Sequence, residues 1–175
     1  MKRAERLLRS VYERKRLGHA LYIFSFGVSI LVALVFVGYL AHLAVAERDF
    51  REIFRLVFTT GVPFFAVGLA RRIIGAPRPY EVYSFYEECP KRRFFGKADD
   101  SRDGASFPSR HAYSAFVIST ALFFVSPWCA TALGALAILM CACRVLLGIH
   151  FIRDVLAGAL IGILAGTLGE LLLIF

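Results

Sequence analysis

The residues able to do chemistry stand in three short stretches: LARRIIGAPRPY (69–80), GASFPSRHAYSAF (104–116) and CRVLLGIHFIRD (143–154). In the first, Arg71 is followed seven residues later by Arg78, which stands between Pro77 and Pro79. Flanking prolines stiffen the backbone and fix where a guanidinium points. Arg71 and Arg72 taken alone read equally well as interface anchors at a helix end. In the second stretch Ser109, behind Pro108, suits a helix N-cap. A helix start presents unpaired backbone N–H groups and the positive end of the helix dipole, which together attract an anion. Arg110 and His111 add donors there. In the third, Arg144 falls near the end of an apolar run. A charge costs about 2.5–3.5 kcal/mol at mid-span and less toward the interface, so such a residue reads as functional by default. His150 and Asp154 are four residues apart; on a helix they share one face, and Asp154 can accept from one imidazole nitrogen. Such a pair alone is more often structural, but Arg144 six residues earlier turns the reading toward a site.

The elements that must position these residues are greasy. Of the 175 residues 58% are apolar and the mean hydropathy is +0.65, so the bilayer is the solvent expected for most of the chain. The net charge of +8 does not mark a nucleic-acid-binding face, because the cations cluster outside the apolar runs. Seven Lys or Arg lie in residues 2–16, three in 48–55 and nine in 71–110. Cys89, Cys129, Cys141 and Cys143 show no C-x-x-C spacing, which supports neither a disulfide framework nor a zinc knuckle. The absence of Asn and Gln removes N-glycosylation and any carboxamide chemistry.

About 20 apolar residues are needed to span a bilayer. The expectation is an all-α, polytopic membrane helix bundle with about five transmembrane helices, forming one domain over residues 1–175. The runs are Ala20 to Ala46, Ile53 to Ala70, His111 to the SPW turn at 126–128, onward to about Gly148, and Ile152 to Phe175. Residues 1–16 are too charged to span; Leu7, Leu8 and Val11 at helical spacing suggest a basic amphipathic helix at the interface. A cleavable signal peptide fits poorly, since the first apolar run is long and no small-residue cleavage site closes it. Gly158, Gly162 and Gly166 recur every four residues, a small-residue face that lets another helix approach. The aromatic residues of the 80–107 loop read as membrane-belt residues rather than as part of the site.

The three stretches also resemble a known family. The type 2 phosphatidic acid phosphatases, related to the vanadium haloperoxidases, carry K-x6-R-P, P-S-G-H and S-R-x5-H-x3-D. The matching residues here are Arg71 with Arg78-Pro79, then Pro108-Ser109-Arg110-His111, then Cys143-Arg144 with His150 and Asp154, so the motif-bearing region covers 71–154. Three residues depart from the pattern: Arg71 stands for lysine, Arg110 for glycine and Cys143 for serine. Arginine can still hold a phosphate, though its planar fork differs from an ammonium. A thiol is a poor donor, so one hydrogen bond to phosphate is lost at Cys143.

The resemblance implies an integral-membrane phosphatase acting on a lipid phosphomonoester or diphosphate. His150 would be the nucleophile, oriented by Asp154, and would form a phosphohistidine; His111 would be the general acid. Arg71, Arg78 and Arg144, with Ser109, Arg110 and the backbone N–H groups of 109–111, would hold the phosphate oxygens. No cofactor or metal is expected, because nearby arginines would repel a divalent cation from a zinc site built of His111, Cys143, His150 and Asp154. The alternatives are a lipid phosphotransferase or haloperoxidase on the same scaffold, or a non-catalytic lipid-binding membrane protein. The expected partners are the bilayer and a membrane lipid phosphate, with no nucleic acid. Multi-pass insertion in the plasma (inner) membrane follows, and charge bias places the site end on the cytoplasmic side.

Overall fold

The computed structural model describes residues 2–95 and 105–173; residues 96–104 of the 80–107 loop and the last two residues of the expected fifth span lie outside them. Its elements are α1 (Lys2–Glu13), α2 (Lys15–His42), α3 (Phe50–Ile74), α4 (Pro79–Val82), α5 (Pro90–Phe95), α6 (Arg110–Phe123), α7 (Pro127–Leu146) and α8 (Ile152–Leu173). A π-helical segment, Leu43–Glu47, extends α2. The described chain is thus helical throughout, as a polytopic bundle requires.

Local sequence explains most boundaries. Asp49 caps α3, its Oδ1 accepting from the Glu52 N–H at 2.9 Å. The helix ends at Gly75, whose left-handed φ of 57° suits a residue without Cβ. Ser109 caps α6 and Pro127 opens α7. Among the described residues, four stretches are long and apolar enough to cross a membrane: Lys15–Glu47, Phe50–Val82, Pro127–Leu146 and Ile152–Leu171. The segment expected as the third span, α6, has only 14 residues. At 1.5 Å per residue it reaches about 21 Å, short of the roughly 30 Å hydrocarbon layer. It is enclosed rather than peripheral, packing against α3, α7 and α8. Ala112, Tyr113, Ala115, Val117 and Ala121 along it are all buried.

The glycine stripe of α8 is what brings that helix onto α6. A Cβ at Gly158 would lie 2.4 Å from the Ser109 carbonyl oxygen, one at Gly162 2.6 Å from that of Tyr113, and one at Gly166 2.7 Å from Thr120 Cβ. Its opposite face exposes Leu156, Leu160, Leu164, Leu168 and Leu171, and α3 likewise exposes Phe54, Phe58, Phe65, Leu69 and Ile73. These apolar stripes face where lipid would be.

The amino-terminal helix packs on protein as well as facing the interface. Leu8, Val11 and Tyr12 are buried, while Leu7 is exposed. Tyr12 Oη accepts from the Glu88 N–H at 3.2 Å, the Arg93 guanidinium lies 4.2 Å from the Tyr12 ring centre, and His19 Nδ1 meets the Phe94 carbonyl at 2.9 Å. The basic amino terminus and residues 88–94 therefore occupy the same end of the bundle. At the opposite end Arg55 is held by Glu52 and by Glu170, which is buried on α8.

Gly162→Val forces a branched side chain against the α6 backbone, and overpacking of this kind costs roughly 1–3 kcal/mol. Its thermal midpoint in detergent is expected to fall clearly below that of Gly134→Ala, where no atom lies within 4 Å of the added Cβ. Equal midpoints for the two variants would contradict the packing.

Candidate active site

The first cluster is placed by the end of α3. Arg71 points inward and is 5% exposed, while Arg72 is exposed. The Arg71 guanidinium donates to the Ala105 carbonyl. After Gly75 the chain is extended through Arg78, whose own N–H is tied to Glu81 Oε2 at 2.5 Å as α4 begins. Arg78 is 2% exposed; it donates to the Ile149 carbonyl at 3.1 Å and to the Ala105 carbonyl at 3.3 Å. One carbonyl is thus gripped by both arginines, and the Ser106 N–H returns a bond to Ala76 O at 2.9 Å.

The third cluster closes against this frame. Arg144, buried near the end of α7, reaches Ser29 Oγ on α2 at 3.4 Å. Its carbonyl accepts from the N–H groups of Ile149 at 3.1 Å and His150 at 3.4 Å. That turn passes through Gly148 at φ 68°, where a Cβ would sit 1.9 Å from Tyr86 Oη. Tyr86 belongs to an aromatic group with Tyr12, Tyr83 and Phe85 that packs over the turn, so the residues read from sequence as a membrane belt are here half-buried in protein.

His150 does not share a helix with Asp154 as the four-residue spacing suggests. It lies in the turn before α8, because the Asp154 carboxylate accepts the Phe151 N–H at 2.8 Å and starts the helix behind it. The two are still brought together, with His150 Nδ1 3.6 Å from Asp154 Oδ2. A third residue stands between them. The Ser106 hydroxyl is fully buried, donates to Asp154 Oδ2 at 2.5 Å and lies 3.4 Å from His150 Nδ1. An Nδ1–H donated to Ser106 Oγ leaves the Nε2 lone pair of His150 for attack. Ser106 escaped the sequence reading because no motif spacing pointed to it, although it stands two residues before Pro108.

The second cluster joins through the same aspartate. The Ser109 N–H donates to the Asp154 carbonyl at 2.9 Å, and Ser109 Oγ accepts from Ala112 N at 3.4 Å. Of the backbone donors expected at 109–111, that of Ser109 is therefore already spent. His111 is partly exposed at the start of α6, within electrostatic reach of Arg144 and His150. Arg110 turns elsewhere: its guanidinium lies 5.7 Å from the Phe64 ring centre, in a groove against α3.

The electrostatics favour an anion. Nε of Arg78 and Nε of Arg144 are buried without a hydrogen-bond partner among the described residues. Burial, together with the charges of Arg78, Arg144 and Arg71, pulls the His150 imidazole down to about 4 against the upward pull of Asp154. His150 is therefore neutral at physiological pH and keeps a lone pair. Among the described residues no three His, Cys, Asp or Glu side chains converge as metal ligands.

In nitrogen-labelled histidine spectra of the detergent-solubilised protein, His150 is expected to stay neutral from about pH 8 to about pH 5 and to titrate only below that. A midpoint near the ordinary value of about 6.5 contradicts the assignment. Ser106→Ala removes the bond that draws off part of the Asp154 charge, so the His150 midpoint should move upward.

A family model described as the PAP2 superfamily matches residues 52–171. No curated protein and no solved structure matches the chain. The matched stretch runs from the first turn of α3 almost to the end of α8 and contains Arg71, Arg78, Ser106, Ser109, His111, Arg144, His150 and Asp154. The helices that converge on His150 are those of a shared family core, and the chain belongs to the PAP2 superfamily.

Proposed function

We propose that this membrane protein hydrolyses a lipid phosphomonoester or diphosphate through a phosphohistidine, without a metal ion. Superfamily membership supports phosphatase-type chemistry. The observation that carries the finer reading is a buried, neutral His150, backed by Ser106 and Asp154, beside two arginines whose Nε–H groups are buried and have no hydrogen-bond partner among the described residues. Such N–H groups cost free energy unless an acceptor arrives, and phosphate oxygens are charge-assisted acceptors.

In the first step the Nε2 lone pair of His150 attacks phosphorus and the bond from phosphorus to the leaving oxygen breaks. His111, whose imidazole burial and the nearby arginine charge hold below the usual range, is protonated when the anionic substrate offsets that charge and gives its proton to that oxygen. Arg71, Arg78 and Arg144 stabilise charge on the equatorial oxygens. In the second step water attacks phosphorus, His111 takes the proton, the phosphorus–nitrogen bond breaks and inorganic phosphate leaves. The Arg71 fork already bonds a carbonyl, so arginine at this position both holds the loop and supplies charge. A lipid substrate is supported by position: the cluster lies at an end of the bundle whose outer faces are apolar.

His150→Ala should lower phosphate release from phosphatidic acid, phosphatidylglycerophosphate or an isoprenyl diphosphate in detergent by about a thousandfold or more, with the thermal midpoint retained. Undiminished release would remove His150 as the nucleophile.

The site end carries the basic α1 helix, which supports a cytoplasmic-facing site in the plasma membrane. Glu87→Cys, in a chain with Cys89 and Cys129 changed to Ser, should resist an impermeant thiol reagent in intact cells and react after permeabilisation. Labelling of intact cells would reverse the orientation.

A further inference from the structure

Arg110 stands where the family pattern has glycine, and its placement gives that substitution a use. A groove of about 290 Å³ is lined by Phe64, Phe65, Gly68, Leu69 and Arg72 of α3 and by Arg110 of α6. Phe65 is 76% and Leu69 60% exposed on the outer face of α3, so the groove opens to the bilayer flank. From Phe64 to Arg72 it follows α3 for eight residues, about 12 Å, toward the site end. Among the described residues the only charges lining it are the two guanidinium groups.

The groove and the phosphoryl site share backbone at two places. Arg71 turns into the site and Arg72, the next residue, lines the groove. His111 starts α6 beside Arg144 and His150, and Arg110, the residue before it, lines the groove. Neighbouring Cα atoms are 3.8 Å apart, so on both α3 and α6 the groove begins one residue away from the site, with two cations over an apolar floor.

We infer that the groove seats the first part of the substrate's lipid chain and that Arg72 and Arg110 grip a second anionic group between that chain and the phosphoryl group under attack. The substrate is accordingly a lipid diphosphate in preference to a monophosphate. This rests on the phosphatase reading above and narrows it. Arg71, Arg78 and Arg144 hold the phosphoryl group transferred to His150; Arg72 and Arg110 hold the phosphate that leaves with the lipid.

The test compares farnesyl diphosphate with farnesyl monophosphate, which share one chain, as substrates of the full-length protein in mixed micelles. The unmodified chain should show the higher kcat/KM on the diphosphate. Arg110→Gly and Arg72→Ser should each lower the diphosphate-to-monophosphate ratio by about tenfold, the size of one charge-assisted hydrogen bond; Arg110→Lys should keep most of it. A ratio unchanged within about twofold in both variants overturns the inference, as does an equal loss on both substrates, which would put the arginines in the phosphoryl site. Binding separates this inference from the phosphatase reading. In a His150→Ala background, farnesyl methylenediphosphonate should bind more tightly than farnesyl phosphonate, and Arg110→Gly should abolish the difference. If that holds while the unmodified chain releases no phosphate, the phosphatase reading fails and the two-anion groove stands. If phosphate is released but binding is indifferent to Arg110, the groove inference fails alone.

Discussion

Asp154 is where the three parts of the site are tied together, and it is completely buried. Its carbonyl accepts the Ser109 N–H and so sets the start of α6; its carboxylate accepts the Phe151 N–H and so sets the start of α8. The same carboxylate oxygen takes the Ser106 hydroxyl and faces His150. A buried carboxylate is tolerated only when its charge is met by donors. Those donors reach one carboxylate oxygen, Oδ2, and come from segments far apart in sequence, so bonding that oxygen draws the site together. Asp154, in the first turn of α8, thereby governs the position of α6, of the loop before it and of the imidazole.

That arrangement needs α6 and α8 to lie closer than ordinary side chains permit. Gly158, one turn beyond Asp154, faces the Ser109 carbonyl directly. A larger residue there would push away the segment that Asp154 has to bond. Packing in the bundle and geometry in the site are therefore one requirement: the small-residue stripe supplies the approach and the aspartate supplies the register.

The bundle was legible from hydropathy because uninterrupted apolar runs leave little choice of structure in a bilayer. The enclosed α6 was harder to read, since a helix surrounded by other helices is apolar for the same reason as one surrounded by lipid; only its length of 14 residues sets it apart. Among the site residues, Arg71, Arg78, Arg144, His150 and Asp154 were visible because charge in an apolar chain is conspicuous. They are buried together at one end of the bundle. The His150–Asp154 relation was misread as a shared helical face, because spacing does not reveal that a carboxylate caps the turn between them. Ser106 left no signal at all: a serine in a loop becomes informative only when folding places it on Asp154. For Arg110 the sequence left open whether it contacts phosphate or points outward, and the structure lays it over Phe64.

The two ends of the bundle bury arginine in opposite ways, and the contrast separates scaffold from site. Arg55 is matched by two carboxylates, Glu52 and Glu170, which cancel its charge and fasten α3 to α8. Among the described residues, Arg78 at the other end is held by the carbonyls of Ala105 and Ile149, and Arg144 by a serine hydroxyl. Carbonyls and hydroxyls fix a guanidinium in place without neutralising it. The positive potential survives burial, and the low-dielectric surroundings strengthen it. Such an arrangement is expensive for the folded chain alone, since uncompensated buried charge lowers stability. An anion would supply the countercharge, and burial together with the same arginine field keeps His150 unprotonated.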